Sequence, residues 1–279
     1  MAVVNYPNLM NTPISGHTRL LGVVADPVKQ ARTPGMANAL LDKRGLFGTF
    51  VLVPMHVSSD GFESFIAGIR CIKNFSGAVL SMPHKVVAAH LVDELTDEAR
   101  LAGAVNVIRR LDDGRLVGTI LDGEGFVAGL QSEGHSVRGA SVLMAGAGGA
   151  ASALAFALAK HGVSALYIQN RSPQRASDLA RRVASAYPSV KVSTSCDESA
   201  RFDLAVNATS LGMAQGDELP ISLALIERSV LVAECVIAPE MTELLKAASA
   251  MGKRIHTGVP MLSAQMNLML DFMGAKEAP

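Results

Sequence analysis

The chain has 279 residues, which is enough for two domains that each bury an apolar core. Lysine and arginine together number 25, as do aspartate and glutamate, so the formal net charge is zero. This balance argues against a nucleic-acid partner, because such proteins concentrate positive charge. Three widely spaced cysteines and scattered histidines indicate neither a disulfide framework nor a metal site.

The N-terminal segment lacks the pattern of a secretory signal, which favours a cytoplasmic protein without a membrane partner. The stretch 140–159 is uncharged and about as long as a bilayer requires. Its glycines and small alanines favour a buried strand, a turn and a packed helix instead.

Short β-branched runs alternate with longer Ala/Leu-rich runs along the whole chain, a pattern typical of parallel βαβ units in an α/β fold. In the first part, strands are predicted at 20–25, 49–54 and 77–80, helices at 34–45, 60–72 and 83–95, and a hairpin at 105–110 and 116–119. In the second part, strands are predicted at 141–145, 165–169, 190–193, 203–206 and 230–235, and helices at 149–161, 173–187, 241–251 and from 261 onwards. Clustered glycines at 122–139 indicate a seam between two domains.

A glycine-rich turn follows the strand at 141–145 and opens the next helix; it reads Gly146-Ala147-Gly148-Gly149-Ala150. Glycine tolerates a positive φ and leaves room for a pyrophosphate, while the N–H groups at the helix start can donate to it. Strand, turn and helix in this order predict a dinucleotide site. A tight turn without a ligand is the alternative.

The segment after the next strand distinguishes between the two nicotinamide cofactors. NAD-specific folds place a carboxylate there to bind the ribose hydroxyls. This chain has Arg171 and Arg175, which can face a 2′-phosphate, with Asn170 and Ser172 able to add neutral hydrogen bonds. The segment therefore predicts NADP, against the alternative of two arginines on a solvated loop.

Two charged residues in the first part are candidates for proton transfer. A dehydrogenase that acts on a carbon–oxygen bond needs an ionisable group within hydrogen-bond reach of the oxygen. Lys85 follows the predicted strand 77–80, and Asp122 ends another extended run. An ammonium beside a carboxylate would be oriented by it, and one of the two would pass the proton. Taken singly, each residue is better explained as a surface charge than as a catalytic group.

Together these motifs resemble the shikimate dehydrogenase family over nearly the whole chain. The matching segments are Pro83-His84-Lys85, Gly103-Ala104-Val105-Asn106, Asp122-Gly123 with Gly125, the glycine turn, Asn170-Arg171-Ser172, Asn207 to Met213, and Gly258 with Met261, Leu262 and Gln265. The resemblance implies an α/β fold of two domains with the active site in the cleft between them. Residues 1–123, completed by a C-terminal helix at 260–279, would form the substrate domain, and 124–259 the Rossmann-type NADP domain.

The resemblance also implies the reaction and the roles of individual residues. The reaction would be the reversible, NADP-linked reduction of 3-dehydroshikimate to shikimate, a step of aromatic amino acid biosynthesis. Lys85 and Asp122 would be the catalytic pair. Thr33, Ser81, Asn106 and Gln265 would bind the substrate, and Asn207, Thr209, Met213 and Gly258 would line the cofactor site. The protein would be a monomer or a homodimer.

The sequence departs from the family pattern where the substrate would bind. The departures are Ala31, Val79, Ile120, Leu121 and Ile237. Arg32 adds a charge that could bind the substrate carboxylate or could equally point into solvent. Each lost hydrogen bond weakens binding by about 0.5–3 kcal/mol. We therefore expect intact hydride and proton transfer with a weaker hold on shikimate. A quinate-type or amino-substituted ring, and a sensor that binds NADP or a ring acid without turnover, are the alternatives.

Overall fold

A computed structural model describes residues 14–276, which form two compact α/β units. The first unit comprises residues 14–95, 105–118 and 269–276, and the second comprises 96–104 and 119–268. The predicted limits of 1–123 and 124–259 remain a prediction, and residues 277–279 of the predicted C-terminal helix lie outside the described residues.

The first unit is built on a mixed sheet of six strands in the order β2-β1-β3-β5-β6-β4. The strands are β1 Arg19–Ala25, β2 Phe50–His56, β3 Phe75–Leu80, β4 Glu94–Leu95, β5 Val107–Arg110 and β6 Leu116–Thr119. Helices α1 Thr33–Lys43, α2 Phe62–Cys71 and α3 Lys85–Leu91 accompany them. β1 pairs in parallel with β2 and β3, whereas β5 runs antiparallel to β3. All six residues of β3 are buried, as a central strand requires.

The second unit is built on a sheet of six parallel strands in the order β12-β11-β10-β7-β8-β9. The strands are β7 Ser141–Ala145, β8 Ala165–Gln169, β9 Lys191–Ser193, β10 Phe202–Asn207, β11 Ser229–Glu234 and β12 Arg254–His256. The helices are α4 Asp97–Ala102, α5 Asp122–Ser132, α6 Gly149–Lys160, α7 Pro173–Ala186, α8 Leu223–Glu227 and α9 Glu243–Ala250, together with α10 Val259–Phe272, whose residues from 269 onwards belong to the first unit. This is the strand order of the doubly wound dinucleotide-binding fold, so the prediction of a Rossmann-type unit is confirmed.

The uncharged stretch 140–159 has the strand–turn–helix structure expected of it. β7 and α6 lie on either side of the glycine turn, and nine consecutive residues of α6, from Ala151 to Ala159, are buried. Small alanines allow this helix to be covered on most of its surface. Within residues 14–276, no helix combines the length and apolar character needed to cross a membrane.

The prediction of a helix over 83–95 is wrong for its last four residues, 92–95. α3 ends at Leu91 because Val92 is extended, with φ −83° and ψ 157°. The Asp93 N–H donates to the Leu116 carbonyl at 3.0 Å, and the Leu116 N–H donates to the Asp93 carboxylate at 2.7 Å. These bonds begin the pairing of β4 with β6, so strand pairing stops the helix.

The glycine-rich segment at 122–139 begins as the helix α5. A Cβ on Gly123 would lie 2.2 Å from the Ala153 carbonyl oxygen, and one on Gly129 would lie 2.7 Å from the Met261 nitrogen. These glycines therefore permit close packing of α5 against α6 and α10. α4 also packs on α6, where the Ser152 hydroxyl donates to the Ala102 carbonyl at 3.1 Å.

Candidate functional site

The glycine turn of the second unit has the geometry of a phosphate-binding loop. Gly146 has φ +122°, and its N–H donates to the Gln169 carbonyl at 2.7 Å. A Cβ there would lie 2.8 Å from the Ala208 carbonyl oxygen, so only glycine fits. Beside Gly148 a Cβ would have none of the described atoms within 4 Å, which leaves space in front of the helix start.

This turn lies at the topological switch point of the sheet, where α/β proteins bind nucleotides. β7 ends at Ala145, and its other neighbour β10 ends at Asn207 in direct register. Gly148 caps α6 without a side chain, so the N–H groups of the first helical turn face the open space. Within the described helices α6 and α7, the first turn contains no acidic residue. The residues present therefore fit a dinucleotide.

The residues predicted to select NADP follow β8 directly. Asn170 and Ser172 are half-buried, and the Asn170 amide donates to the Ser172 carbonyl at 3.0 Å. Arg171 and Arg175 are exposed, and Pro173 begins α7 between them. The two guanidinium groups are thus accessible at the carboxyl end of the sheet, and their contact with a 2′-phosphate remains a prediction.

Asn207 and Thr209 hold their own loop together. The Asn207 amide oxygen accepts from the Thr209 N–H at 3.0 Å and the Thr209 hydroxyl at 2.7 Å. The Asn207 amide nitrogen donates to the Leu211 carbonyl at 2.9 Å and to the carboxylate of Glu234. Both Asn207 and Glu234 are fully buried. These side chains shape the loop 207–213, and their predicted cofactor contact remains a prediction.

Glu234 and Thr242 are part of this arrangement and were not predicted from the sequence. The Thr242 hydroxyl donates to the Glu234 carboxylate at 2.7 Å and also caps α9. The available signal was an acidic residue that closes an otherwise apolar strand, which is unusual because buried carboxylates need partners.

Met213 and Gly258 differ in their surroundings. Met213 is half exposed on the loop 207–213. Gly258 is buried, and a Cβ there would lie 2.4 Å from the Val236 carbonyl oxygen. Glycine is therefore required where the chain enters α10.

Four predicted residues of the first unit lie at one edge of its sheet. Ser81 follows β3, and its N–H donates to the Val24 carbonyl of β1 at 2.8 Å. Lys85 begins α3, and its carbonyl accepts from the N–H of Val105 at 2.8 Å, just before Asn106. Thr33 begins α1, which follows β1. The structure thus brings Ser81, Lys85 and Asn106 together through backbone pairing.

His84 is a packing residue. Its ring stacks on Phe62 with centroids 4.2 Å apart, and its Nε2 lies 2.9 Å from the Val57 carbonyl oxygen. Burial lowers the pKa of the imidazole, against the opposing effects of the Val57 hydrogen bond and the charge of Asp26. A neutral, enclosed ring of this kind supports the start of α3.

The predicted catalytic carboxylate and a predicted substrate-binding amide are in direct contact in the second unit. The Gln265 amide on α10 donates to Oδ1 of Asp122, the first residue of α5, at 2.8 Å. Asp122 is 5% exposed and Gln265 4%. Gly125 permits this contact, because a Cβ there would lie 2.7 Å from the Gln265 Cβ.

The positions that depart from the family pattern fall into two groups. Val79 and Ile120 are 6% and 2% exposed and belong to the apolar core. The others are accessible at least in part: Ala31, Leu121 and Ile237 are half-buried, and Arg32 is exposed at the start of α1. Among the described residues, no group of three or more His, Cys, Asp or Glu side chains could hold a metal ion.

Comparison with known proteins assigns the family. The family described as shikimate dehydrogenase substrate binding domain matches residues 23–108, and the one described as shikimate / quinate 5-dehydrogenase matches 129–214. The chain belongs to the shikimate dehydrogenase family.

Several relatives match over nearly the full chain. Shikimate dehydrogenase (NADP(+)) of Rubrobacter xylanophilus is 38% identical over 92% of this chain and 91% of its own length. Quinate/shikimate dehydrogenase of Escherichia coli is 32% identical over 95% of each chain. The structure of shikimate 5-dehydrogenase from Thermus thermophilus, in complex with NADP(H) and shikimate, superposes with a TM-score of 0.82 at 29% identity, covering 94% of this chain and 95% of that one.

Proposed function

We propose that this oxidoreductase catalyses the reversible, NADP-linked reduction of 3-dehydroshikimate to shikimate or of a close cyclic hydroxy-acid analogue. The buried bond between Gln265 and Asp122 carries the proposal. It joins two residues 143 positions apart, which were assigned separately to substrate binding and to catalysis. An amide that donates to a buried carboxylate fixes the orientation of that carboxylate.

The chemistry requires a proton at the substrate oxygen and a hydride at the adjacent carbon. When bound, NADPH supplies the hydride. Lys85 and Asp122 would act on the substrate oxygen, one of them passing the proton to it during reduction and accepting it back during oxidation. Thr33, Ser81, Asn106 and Gln265 would hold the ring substituents. The glycine turn and the segment 170–175 would bind the cofactor.

A second candidate substrate is a quinate-type ring. Leu121 and Ile237 are half-buried and cannot hydrogen-bond through their side chains, and Ala31 lacks the hydroxyl of the family pattern. These replacements weaken the hold on shikimate and suit a substrate with a different set of polar groups. A curated relative is itself described as a quinate/shikimate dehydrogenase.

The test is a steady-state assay of NADP reduction with shikimate, quinate and amino-substituted ring acids at matched concentrations. We expect turnover with at least one ring acid and a higher kcat/KM for it than for acyclic hydroxy acids. NADPH binding without turnover on any acid would favour a sensor and contradict the proposed activity. A higher kcat/KM for quinate than for shikimate would select the second candidate.

A further inference from the structure

We propose that Glu234 is a positioning residue for the cofactor: its carboxylate fixes the orientation of the Asn207 amide and thereby shapes the loop 207–213 beside the glycine turn. This inference rests on the proposed NADP-linked function. Glu234 would act through its neighbour Asn207.

The pairing of two adjacent strands brings the side chains together. Asn207 ends β10 and Glu234 ends β11, and the two residues are direct partners in the parallel register. The Asn207 amide nitrogen lies 2.9 Å from Oε2 and 3.2 Å from Oε1 of Glu234. Because both residues are 0% exposed, water cannot replace this bond.

A carboxylate in this position decides which way the amide faces. An ionised carboxylate only accepts hydrogen bonds, so Asn207 must present its NH₂ group to Glu234. The amide oxygen then points to the other side, where it accepts from the N–H and the hydroxyl of Thr209. If the amide turned over, its oxygen would face the carboxylate of Glu234, and its NH₂ group would face the N–H of Thr209. Two acceptors would then face each other at one end, and two donors at the other.

The amide orientation is transmitted to the loop. The Thr209 hydroxyl accepts from the Leu211 N–H at 3.0 Å, and the second hydrogen of the Asn207 NH₂ group reaches the Leu211 carbonyl at 2.9 Å. The loop begins against the cofactor turn, since the Ala208 N–H donates to the Ala145 carbonyl at 2.8 Å. The Ala208 carbonyl oxygen occupies the space that a Cβ on Gly146 would need.

The remaining partners of Glu234 hold the carboxylate itself. The Thr242 hydroxyl donates to Oε1 at 2.7 Å, and the Val236 N–H donates to Oε2 at 3.3 Å. Burial raises the pKa of this carboxyl, and the hydrogen bonds from Thr242 and Asn207 act in the opposite direction. An apolar residue would avoid the desolvation of a buried carboxylate, so a positioning role explains why an acid stands here.

The test replaces Glu234 by a residue of similar size that cannot accept a hydrogen bond. In Glu234→Leu the NH₂ group of Asn207 loses its acceptor, and we expect the NADPH dissociation constant to rise about 10-fold or more. Glu234→Gln keeps one acceptor oxygen and should give an intermediate value. Affinity is measured by NADPH fluorescence titration without substrate, so the result does not depend on turnover.

The control is Ser229→Ala, at the opposite end of the same strand. The buried Ser229 hydroxyl donates to the Leu225 carbonyl at 2.7 Å, so its loss lowers stability without touching the loop. We expect this variant to keep the wild-type NADPH affinity. Hydrogen exchange of the Thr209 and Leu211 amides should accelerate in Glu234→Leu but not in Ser229→Ala.

If Glu234→Leu does not fold, Thr242→Val takes its place in the test. This variant removes one donor to the Glu234 carboxylate and should likewise raise the NADPH dissociation constant. Wild-type affinity and wild-type exchange in a folded variant would overturn the positioning role. A wild-type chain that does not bind NADPH would instead overturn the proposed function.

Discussion

Asp122 combines burial with a fixed orientation. As the first residue of α5 it lies at the positive end of the helix dipole, which favours the charged carboxylate. The Gln265 amide occupies one of its oxygens. A proton-transfer group needs its partner within a narrow range of angles, and this bond limits how far the carboxylate can rotate.

Arg171 is the residue at which cofactor selectivity can be tested. Arg171→Ala removes an exposed guanidinium that we assign to the 2′-phosphate. A charged contact of this kind contributes about 1.5–3 kcal/mol, so NADPH affinity should fall roughly 10- to 100-fold. NADH affinity should change little, because NADH has no 2′-phosphate.

Fluorescence titrations with both cofactors provide the measurement. Arg181→Ala is the matched control, since Arg181 is an exposed arginine of α7 that pairs with Asp178 within its own helix. Equal losses of NADPH and NADH affinity in Arg171→Ala would refute the assignment.

At the scale of the elements, the two kinds of helical glycine should respond oppositely to alanine. Gly68 is exposed within α2 with none of the described atoms within 4 Å of an added Cβ, so Gly68→Ala should stabilise the protein by about 0.5–1 kcal/mol. Gly123→Ala forces a Cβ to within 2.2 Å of the Ala153 carbonyl oxygen and should destabilise by about 1–3 kcal/mol or more.

Denaturant unfolding of both variants gives the free energies directly. A Gly123→Ala variant as stable as the wild type would show that α5 and α6 can separate without loss. The role assigned to the glycines of α5 would then be wrong.

The glycines of the turn after β7 and those of α5 show where sequence reasoning succeeds and where it fails. The turn after β7 was predicted correctly, because its strand, glycines and helix are adjacent in the chain. Gly123 and Gly129 gave no sign that they lie in a closely packed helix, since the residues that make glycine necessary, Ala153 and Met261, lie far away in the sequence. Helix propensity alone does not reveal such distant contacts.

The candidate site shows the same division. Lys85, Asp122 and Gln265 could be predicted as site residues because each belongs to a recognisable motif. Glu234 was not predicted as a site residue, because its contact with Asn207 depends on the pairing of β10 with β11. No local sequence pattern reveals that pairing. For the same reason the helix predicted through residue 95 continued past Leu91, where pairing of β4 with β6 takes over.

At the scale of the whole molecule, ionisable groups shape stability in different pH ranges. Burial lowers the pKa of His84 from its ordinary value of 6.5, so the unfolded chain binds this proton more readily than the folded one. The stabilising contribution is therefore complete above about pH 6.5 and is lost as the pH falls. Glu98, whose pKa is lowered by its own backbone N–H and by Lys160, loses its contribution only below about pH 4.5.

We therefore expect the free energy of unfolding of the wild type to fall as the pH is lowered from 7 to 5. The free energy of unfolding of His84→Gln should fall less steeply over the same range. Glutamine can still donate to the Val57 carbonyl but does not titrate in this range. Denaturant unfolding at several pH values measures both slopes. Identical slopes would show that His84 does not contribute to the loss of stability at low pH.

Lys85 and Asp122, the predicted catalytic pair, belong to different units of the molecule. If Lys85 and Asp122 serve the same proton transfer, removing either one disables it, and removing the second adds little. Lys85→Ala and Asp122→Asn should each lower kcat by on the order of 10²- to 10⁴-fold, and the double variant should be no slower than the slower single variant.

Lys73→Ala is the control, because Lys73 is exposed and precedes β3, at the other end of that strand from Lys85. NADPH affinity should stay close to that of the wild type throughout. Multiplicative losses in the double variant would show that the two side chains act in separate steps, and the assigned catalytic pair would then be wrong.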